Sequence, residues 1–199
     1  ALAGHLSSMG FSVTLFEHPE FYYSLQDLEG EKTIRLTGSV NALGKLDMVT
    51  KDPADIEDAD IIYYLAPSFA QEAILALAAP HMKSGALLIL MPGNFGALAM
   101  KESLGDILPE DLTVAESDTI PYACRREGSG SIAVWGMKNF MAVSALPSRK
   151  TKSLIDRILE YFPVPFVPAR NSLSIGLSNT NMILHCPAMI MNVGRIEST

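Results

Sequence analysis

The sequence is poor in cysteine and in basic residues. It has 2 Cys among 199 residues, and 15 Lys and Arg against 22 Asp and Glu, for a net charge of −7. Two cysteines cannot build a disulfide framework or a repeated Cys-x-x-Cys zinc pattern, so we expect a reducing, cytoplasmic compartment. Nucleic acid and anionic membrane surfaces both attract basic proteins, and this acidic balance disfavours both as partners.

A membrane-spanning run and a secretory signal are also absent from the sequence. The apolar stretch from Ala86 to Met100 is interrupted by Pro92-Gly93-Asn94 and is too short to cross a bilayer. No basic segment precedes an apolar one at the start of the chain. The first and last residues both fall within helix-like segments. We therefore expect a fragment that lacks an N-terminal strand and a C-terminal domain.

What the sequence does have is apolar content in regular blocks, with 48% hydrophobic residues. Two continuous apolar runs, 61–66 and 86–91, are typical of strands buried on both faces, and helix-like segments follow them. Further strands are predicted at 11–16, 33–36, 45–50, 112–115, 131–135 and 140–146, and we expect the last two to pair antiparallel. This alternation predicts an α/β fold with a Rossmann-like, doubly wound, mainly parallel sheet.

Three prolines, Pro163, Pro165 and Pro168, mark a break in this pattern. We expect residues 1–168 to form a nucleotide-binding Rossmann-like domain whose first strand and glycine loop are missing. Residues 169–199 then form the start of a second, all-helical domain.

Ligands of doubly wound sheets bind at the carboxyl ends of the strands. Glu17 ends a predicted strand, where its carboxylate can accept hydrogen bonds from ribose hydroxyls and repel a 2′-phosphate, which favours NAD over NADP. Gly93 lets the backbone approach a ligand, and Asn94 offers an amide. With Pro67, these residues are the cofactor-binding candidates. The alternatives are a solvated carboxylate at Glu17 and a simple tight turn at 92–96.

His185 carries an imidazole, which titrates nearest to neutrality and suits proton transfer to a carbonyl or carbinolamine oxygen. Pro187 cannot donate to the carbonyl of Ile183, so a helix is expected to kink or restart there. The alternative is a hydrogen-bonded core histidine. Adjacent side chains point apart, so His185-Cys186 is a poor metal site and no metal is expected. Cys124 and Cys186 are expected to be buried, unreactive thiols.

Three segments of the chain resemble the octopine/nopaline (opine) dehydrogenase family. The first is the loop Pro92-Gly93-Asn94-x-Gly96, and the second is Glu116-Ser117-x-Thr119-x-Pro121-Tyr122-x-Cys124-Arg125. The third comprises Asn179-x-Asn181-x-x-x-His185-Cys186-Pro187-Ala188 and Asn192-Val193-Gly194-Arg195-Ile196-Glu197. Cys186 departs from the family by standing between His and Pro. The resemblance covers essentially the whole chain.

The resemblance implies an oxidoreductase that condenses the amine of an amino acid with a 2-keto acid such as pyruvate and reduces the imine with NAD(P)H. His185 would be the catalytic acid/base, assisted by an Asp outside this chain, and Asn94 and Thr119 would lie beside the keto acid and the nicotinamide. The expected cofactor is NAD, with NADP as the second choice, and a homodimer is the assembly that we consider. The alternatives are a related 2-keto or 3-hydroxy acid reductase and a nucleotide-binding protein without chemistry. The fragment alone is expected to be inactive.

Overall fold

A computed structural model describes residues 1–128 and 130–195 of the chain. Two residues of the family-like tail motif, Ile196 and Glu197, lie outside the described residues, as does the side chain of Asn181.

Helices and strands alternate along most of the described chain. The α-helices are α1 (Leu2–Ser8), α2 (Gln71–Ala78), α3 (Gly96–Leu104), α4 (Thr151–Ile158), α5 (Ser172–Leu177) and α6 (Thr180–Met191). The strands are β1 (Thr14–Phe16), β2 (Thr33–Gly38), β3 (Ala42–Lys45), β4 (Met48–Thr50), β5 (Ile61–Tyr64), β6 (Leu87–Leu90), β7 (Thr113–Ser117), β8 (Tyr122–Gly128), β9 (Ser131–Met137), β10 (Met141–Leu146) and β11 (Phe166–Pro168). Short 3₁₀ turns cover Pro19–Ser24, Gln26–Leu28, Pro53–Ile56, Ser68–Ala70, Ala79–His81, Ser148–Lys150 and Val193–Arg195.

The central sheet has five strands in the order β11-β10-β7-β6-β5. Strands β5, β6 and β7 are parallel, and both predicted apolar runs lie in this sheet as β5 and β6. Leu87 and Ile89 face an apolar cluster that includes Ile158 of α4, whereas Leu88 and Leu90 face a second cluster with residues of α2 and α3. Each fully buried Leu or Ile contributes about 1.5–3 kcal/mol. Helices on both faces of a mainly parallel sheet confirm the predicted Rossmann-like fold.

The remaining strands correct one predicted pairing and one predicted strand. Residues 131–135 and 140–146 do not pair with each other. Strand β9 pairs with β8 and β2, and strand β10 pairs with β7 and β11. The reason is a tight turn in which Gly130 has a φ of 63°, which closes a β8–β9 hairpin before β10 begins. The predicted 45–50 strand is also divided, because Ala42–Lys45 pairs with β2 whereas Met48–Thr50 pairs with β1.

The tail continues from the sheet into two helices. Strand β11 pairs with β10, and α5 follows with Asn171 and Ser174 forming a reciprocal capping box. The buried residues of α5, which include Ile175, pack toward the central sheet. Helix α6 passes through Pro187 without a break, so the predicted restart of the helix is not found. Among the described residues, no helix has the length and apolar character needed to cross a membrane.

Candidate functional site

Three segments that are distant in sequence meet at the carboxyl ends of β5 and β6, and Asn94 joins them. Its Nδ2 donates to Ser68 Oγ at 2.7 Å, in the loop after β5. Its Oδ1 accepts from Asn179 Nδ2 at 2.7 Å, in the residue just before α6. The predicted candidate Asn94 therefore lies where the sheet edge meets the tail. Ser68 and Asn179 were not among the predicted site residues.

The loop that carries Asn94 has an uncommon backbone. Asn94 and Phe95 have φ values of 50° and 66°, a left-handed conformation that costs side-chain-bearing residues about 1–3 kcal/mol each. Gly93 N donates to Ser117 O at 2.9 Å, and Phe95 N donates to Glu116 Oε2 at 3.1 Å. Strand β7 thus holds the loop from two successive residues.

Gly93 is packed directly against the side chain of Glu116. A Cβ added at Gly93 would overlap both the Cβ and Oε2 of Glu116. Packing against Glu116 therefore requires a glycine at position 93, in addition to the close approach of a ligand that the sequence suggested. Its role in cofactor binding stays a prediction.

Glu116 is a carboxyl group with no exposed surface. Burial raises its pKa to about 7, and the N–H groups of Phe95 and Ala97 together with the hydroxyl of Ser172 limit the rise. In the described part of the chain, neither Glu116 Oε1 nor Ser172 Oγ makes a hydrogen bond of normal geometry. In the sequence, Glu116 stood out only as the first residue of the second family-like segment. The sequence feature that could have identified Glu116 as a candidate is a carboxylate at the end of an otherwise buried strand.

Glu17 and Pro67 both lie near Tyr64, although β1 pairs with β4 in a two-stranded sheet and is not a strand of the central sheet. Glu17 follows β1, is half-buried and accepts a hydrogen bond from the N–H of His18 at 2.9 Å. Tyr64, the last residue of β5, donates its hydroxyl to Pro67 O at 2.9 Å. Burial, with a smaller contribution from the negative charge of Glu17, raises the pKa of Tyr64 to about 12. Two predicted cofactor-binding positions are therefore neighbours of one buried tyrosine.

Thr119 and His185 are less closely connected to this cluster. Thr119 is half-buried between β7 and β8, and its carbonyl accepts from Ser117 Oγ at 2.8 Å. His185 is exposed on α6, which disagrees with the alternative of a core histidine. It is six residues beyond Asn179, or about 9 Å along a helix axis. Within residues 1–128 and 130–195, no hydrogen bond joins His185 to Asn94 or to Thr119.

The prediction that both cysteines are buried is wrong. Cys124 and Cys186 are exposed and free. Cys124 lies on the edge strand β8, of which all residues from Ala123 onward are exposed, and Cys186 lies on the exposed part of α6. Among the described residues, no group of three or more His, Cys, Asp or Glu side chains could hold a metal ion.

Comparison with known sequences finds relatives of the chain. No family model matches the chain. An opine dehydrogenase from Arthrobacter sp. (strain 1C) is 30% identical over 154 residues, which cover 76% of the chain and 43% of that relative. Vitopine synthase from Allorhizobium ampelinum is 35% identical over 147 residues, covering 73% of the chain and 39% of that relative. The chain thus spans less than half the length of these curated relatives.

Solved structures give the same fold. Octopine dehydrogenase in complex with NADH and agmatine matches 99% of the chain and 51% of its own length, with a TM-score of 0.79 and 23% identity. A PanE/ApbA family ketopantoate reductase from Ralstonia eutropha JMP134 matches 93% of the chain and 57% of its own length, with a TM-score of 0.68 and 20% identity. At these identities the similarity concerns the fold alone.

The protein is a Rossmann-like α/β protein, as the order of the strands and the helices on both faces of the sheet show. Its candidate site lies at the carboxyl edge of the sheet, where Asn94 joins three segments. The relatives at 30–35% identity confirm, for the part of their length that they share with the chain, the resemblance to the opine dehydrogenase family.

Proposed function

We propose that the protein is an NAD(P)H-dependent opine dehydrogenase that joins an amino acid to a 2-keto acid such as pyruvate. The observation that carries this proposal is the hydrogen bond between Asn179 and Asn94. It connects the segment leading to His185 with the edge of the sheet where a dinucleotide would bind. In this proposal, residues 1–168 belong to the nucleotide-binding domain and residues 169–199 begin the helical catalytic domain.

The residues at the sheet edge fit a dinucleotide. Glu17 directly follows β1, and its charge acts on Tyr64, whose hydroxyl donates to Pro67 O in the loop after β5. A carboxylate at this place can accept ribose hydroxyls and repels a 2′-phosphate, so NAD is the preferred cofactor and NADP the second choice. When bound, the nicotinamide supplies the hydride that reduces the imine carbon.

The residues of this chain orient the other reactant and move its proton. Asn94 has a second N–H and a second lone pair beyond those used by Ser68 and Asn179, so it can orient a keto acid while keeping both contacts. Thr119 would contribute a hydroxyl from the neighbouring turn. His185 would deliver the proton that the carbonyl or carbinolamine oxygen needs as water leaves.

The deciding experiment assays the full-length protein with NADH, pyruvate and a panel of amino acids. Oxidation of NADH that requires both substrates, with a secondary-amine product identified by mass spectrometry, supports the proposal. Oxidation that needs the keto acid but no amino acid indicates instead the 2-keto acid reductase class, which the ketopantoate reductase fold similarity favours as the second candidate. Binding of NADH without turnover indicates a nucleotide-binding protein without chemistry.

The isolated chain serves as the matched control. By the same proposal the 199-residue chain alone has little activity, because a glycine-rich phosphate loop and the catalytic Asp are not in this sequence. Robust NADH oxidation by the isolated chain contradicts this domain assignment.

A further inference from the structure

We propose that Glu116 is a positioning residue that sets the place of the Asn94 amide at the candidate site. This inference rests on the proposed function for the role of Asn94, whereas the contact between Glu116 and the loop that carries Asn94 is seen in the structure. Glu116 has no exposed surface, so it cannot touch a substrate and can act only through the residues packed against it.

The N-terminus of α3 depends on a group from a neighbouring strand. Phe95 is the residue before this helix and provides no side-chain cap, so the first N–H groups of the helix need another acceptor. Glu116 reaches them from β7, since its Oε2 accepts from Phe95 N at 3.1 Å and its carboxyl also faces the N–H of Ala97. A carboxyl group is favoured at a helix N-terminus, where the helix dipole is positive. Glu116 therefore takes the place of the missing cap.

There is little space around the loop that carries Asn94. Gly93 lies against the Glu116 side chain on one side, and the ring of Phe95 lies against Gly176 of α5 on the other. A Cβ at either glycine would overlap its neighbour. Asn94 is held between these two contacts in a left-handed conformation, which a free loop would leave. Its amide consequently points to Ser68 and Asn179.

The Glu116 carboxyl is surrounded by strands of the central sheet and by helices α3 and α5. The neighbouring strands place Leu90 and Ser144 beside Glu116 in register, α3 presents backbone N–H groups, and α5 presents Ser172. None of these groups is charged or titratable near neutrality. The ionised carboxylate accepts the loop N–H groups more strongly than the neutral acid does, so the loop is held more firmly above neutral pH than below it.

The test compares two variants of Glu116 with a buried control. Glu116→Gln keeps an oxygen acceptor for Phe95 N–H, whereas Glu116→Met keeps the length of the side chain and removes the acceptor. Ser144→Ala is the matched control, because it deletes an equally buried polar group from the adjacent strand without a contact to the loop. Each protein is studied full-length by amide hydrogen exchange, side-chain amide NMR and steady-state kinetics.

The expected result is a local effect. In Glu116→Met, exchange of the Phe95 amide should accelerate about tenfold, and the Asn94 side-chain signals should shift, while β6 amides exchange as in the wild type. The KM for the keto acid should rise about tenfold with kcat changed less, since binding geometry is lost and proton transfer is not. Glu116→Gln should bring the exchange rate of the Phe95 amide and the KM for the keto acid back toward the wild-type values. It should also remove the pH dependence of the Asn94 signals near neutrality.

The overturning results are equally specific. Unchanged Phe95 exchange in Glu116→Met excludes the capping contact, and unchanged Asn94 signals exclude positioning. A rise in exchange across all amides, with KM unaffected in the folded fraction, shows a purely structural role. If the wild-type protein reduces no keto acid, the proposed function has failed, whereas the exchange and NMR readouts still decide whether Glu116 positions Asn94.

Discussion

Asn179 Nδ2 donates to Asn94 Oδ1 at 2.7 Å across 85 residues of sequence. Asn179 is buried just before α6, and Asn94 lies in the loop after β6, so one amide pair connects the tail to the edge of the central sheet. A partly buried side-chain pair with a specific direction helps to fix the relative placement of the two segments. The start of α6 is thereby tied to the loops in which we place the cofactor.

Breaking this pair should weaken substrate binding more than it weakens folding. In Asn179→Ala, Asn94 loses one partner, and we expect the KM for the keto acid to rise about tenfold, the equivalent of one net hydrogen bond. The check is steady-state kinetics together with melting temperature. Asn41→Ala, which removes an exposed amide that donates to Gly38 O, is the control and should leave both unchanged. A KM that stays at the wild-type value in Asn179→Ala removes this contact from the proposed site.

Glu17 is expected to set the preference for NADH. Glu17→Ala should weaken NADH binding by roughly 1–3 kcal/mol, the loss expected for charge-assisted hydrogen bonds, and should affect NADPH less. Titration of both cofactors by fluorescence checks this. Glu20→Ala removes an exposed carboxylate three residues away and should change neither affinity. A wild-type protein that binds NADPH more tightly than NADH contradicts the role of Glu17.

Gly93 is expected to tolerate no side chain. Gly93→Ala places a Cβ into Glu116, and we expect a loss of about 1–3 kcal/mol in the free energy of unfolding from overpacking. Gly136→Ala is the matched control, because an added Cβ there meets nothing within 4 Å. Chemical denaturation of both variants measures the difference. Equal stability of the two variants would show that the β7–loop contact is looser than the structure indicates.

The buried carboxyl of Glu116 should make stability depend on pH. Its folded pKa of about 7 is raised above the ordinary value of 4.5, so the folded state holds the proton more tightly than the unfolded chain does. The protonated carboxyl therefore contributes about 3 kcal/mol to the free energy of unfolding. This stabilisation is fully present below pH 4.5 and is lost as pH rises through 7. The melting temperature of Glu116→Gln relative to wild type should therefore increase from pH 5 to pH 8. A difference that is constant over this range contradicts the raised pKa.

Sequence patterns predicted the parts of the fold that depend on local composition. Strands β5 and β6 were found because continuous apolar runs reflect burial on both faces. The pairing of 131–135 with 140–146 was wrong, because adjacency in sequence favours a hairpin and the turn at Gly130 had already formed one with β8. The contact of Glu116 with the Gly93 loop depends on which strands become neighbours in the sheet. No periodicity in the sequence encodes that arrangement.

The same distinction applies to the candidate site. Asn94 was predicted because it follows a buried strand, where ligands of such sheets bind. Asn179 was visible only as a motif position, since its bond to Asn94 exists only after the tail has packed against the sheet. The exposure of Cys124 was missed because average burial of free cysteine says nothing about the edge strand on which this one lies.

His185 is exposed on α6. If it is the acid/base, His185→Ala should lower turnover by about 10²–10⁴-fold, the usual contribution of a positioned proton donor. NADH affinity should barely change, because the proposed cofactor contacts lie on the sheet edge and not on α6. Melting temperature should also stay close to wild type, since an exposed side chain contributes little to stability.

The measurement separates three roles for this histidine. The full-length variant is purified, its melting temperature is confirmed, NADH is titrated by fluorescence, and turnover is measured with saturating keto acid and amino acid. His81→Ala, in the 3₁₀ turn after α2, is the control and should keep full turnover. A raised dissociation constant for NADH would make His185 a cofactor ligand, and a lowered melting temperature with normal turnover would make it structural. Normal turnover and normal kcat/KM in a stable variant remove His185 from the mechanism, because loss of a proton donor raises the barrier of the chemical step.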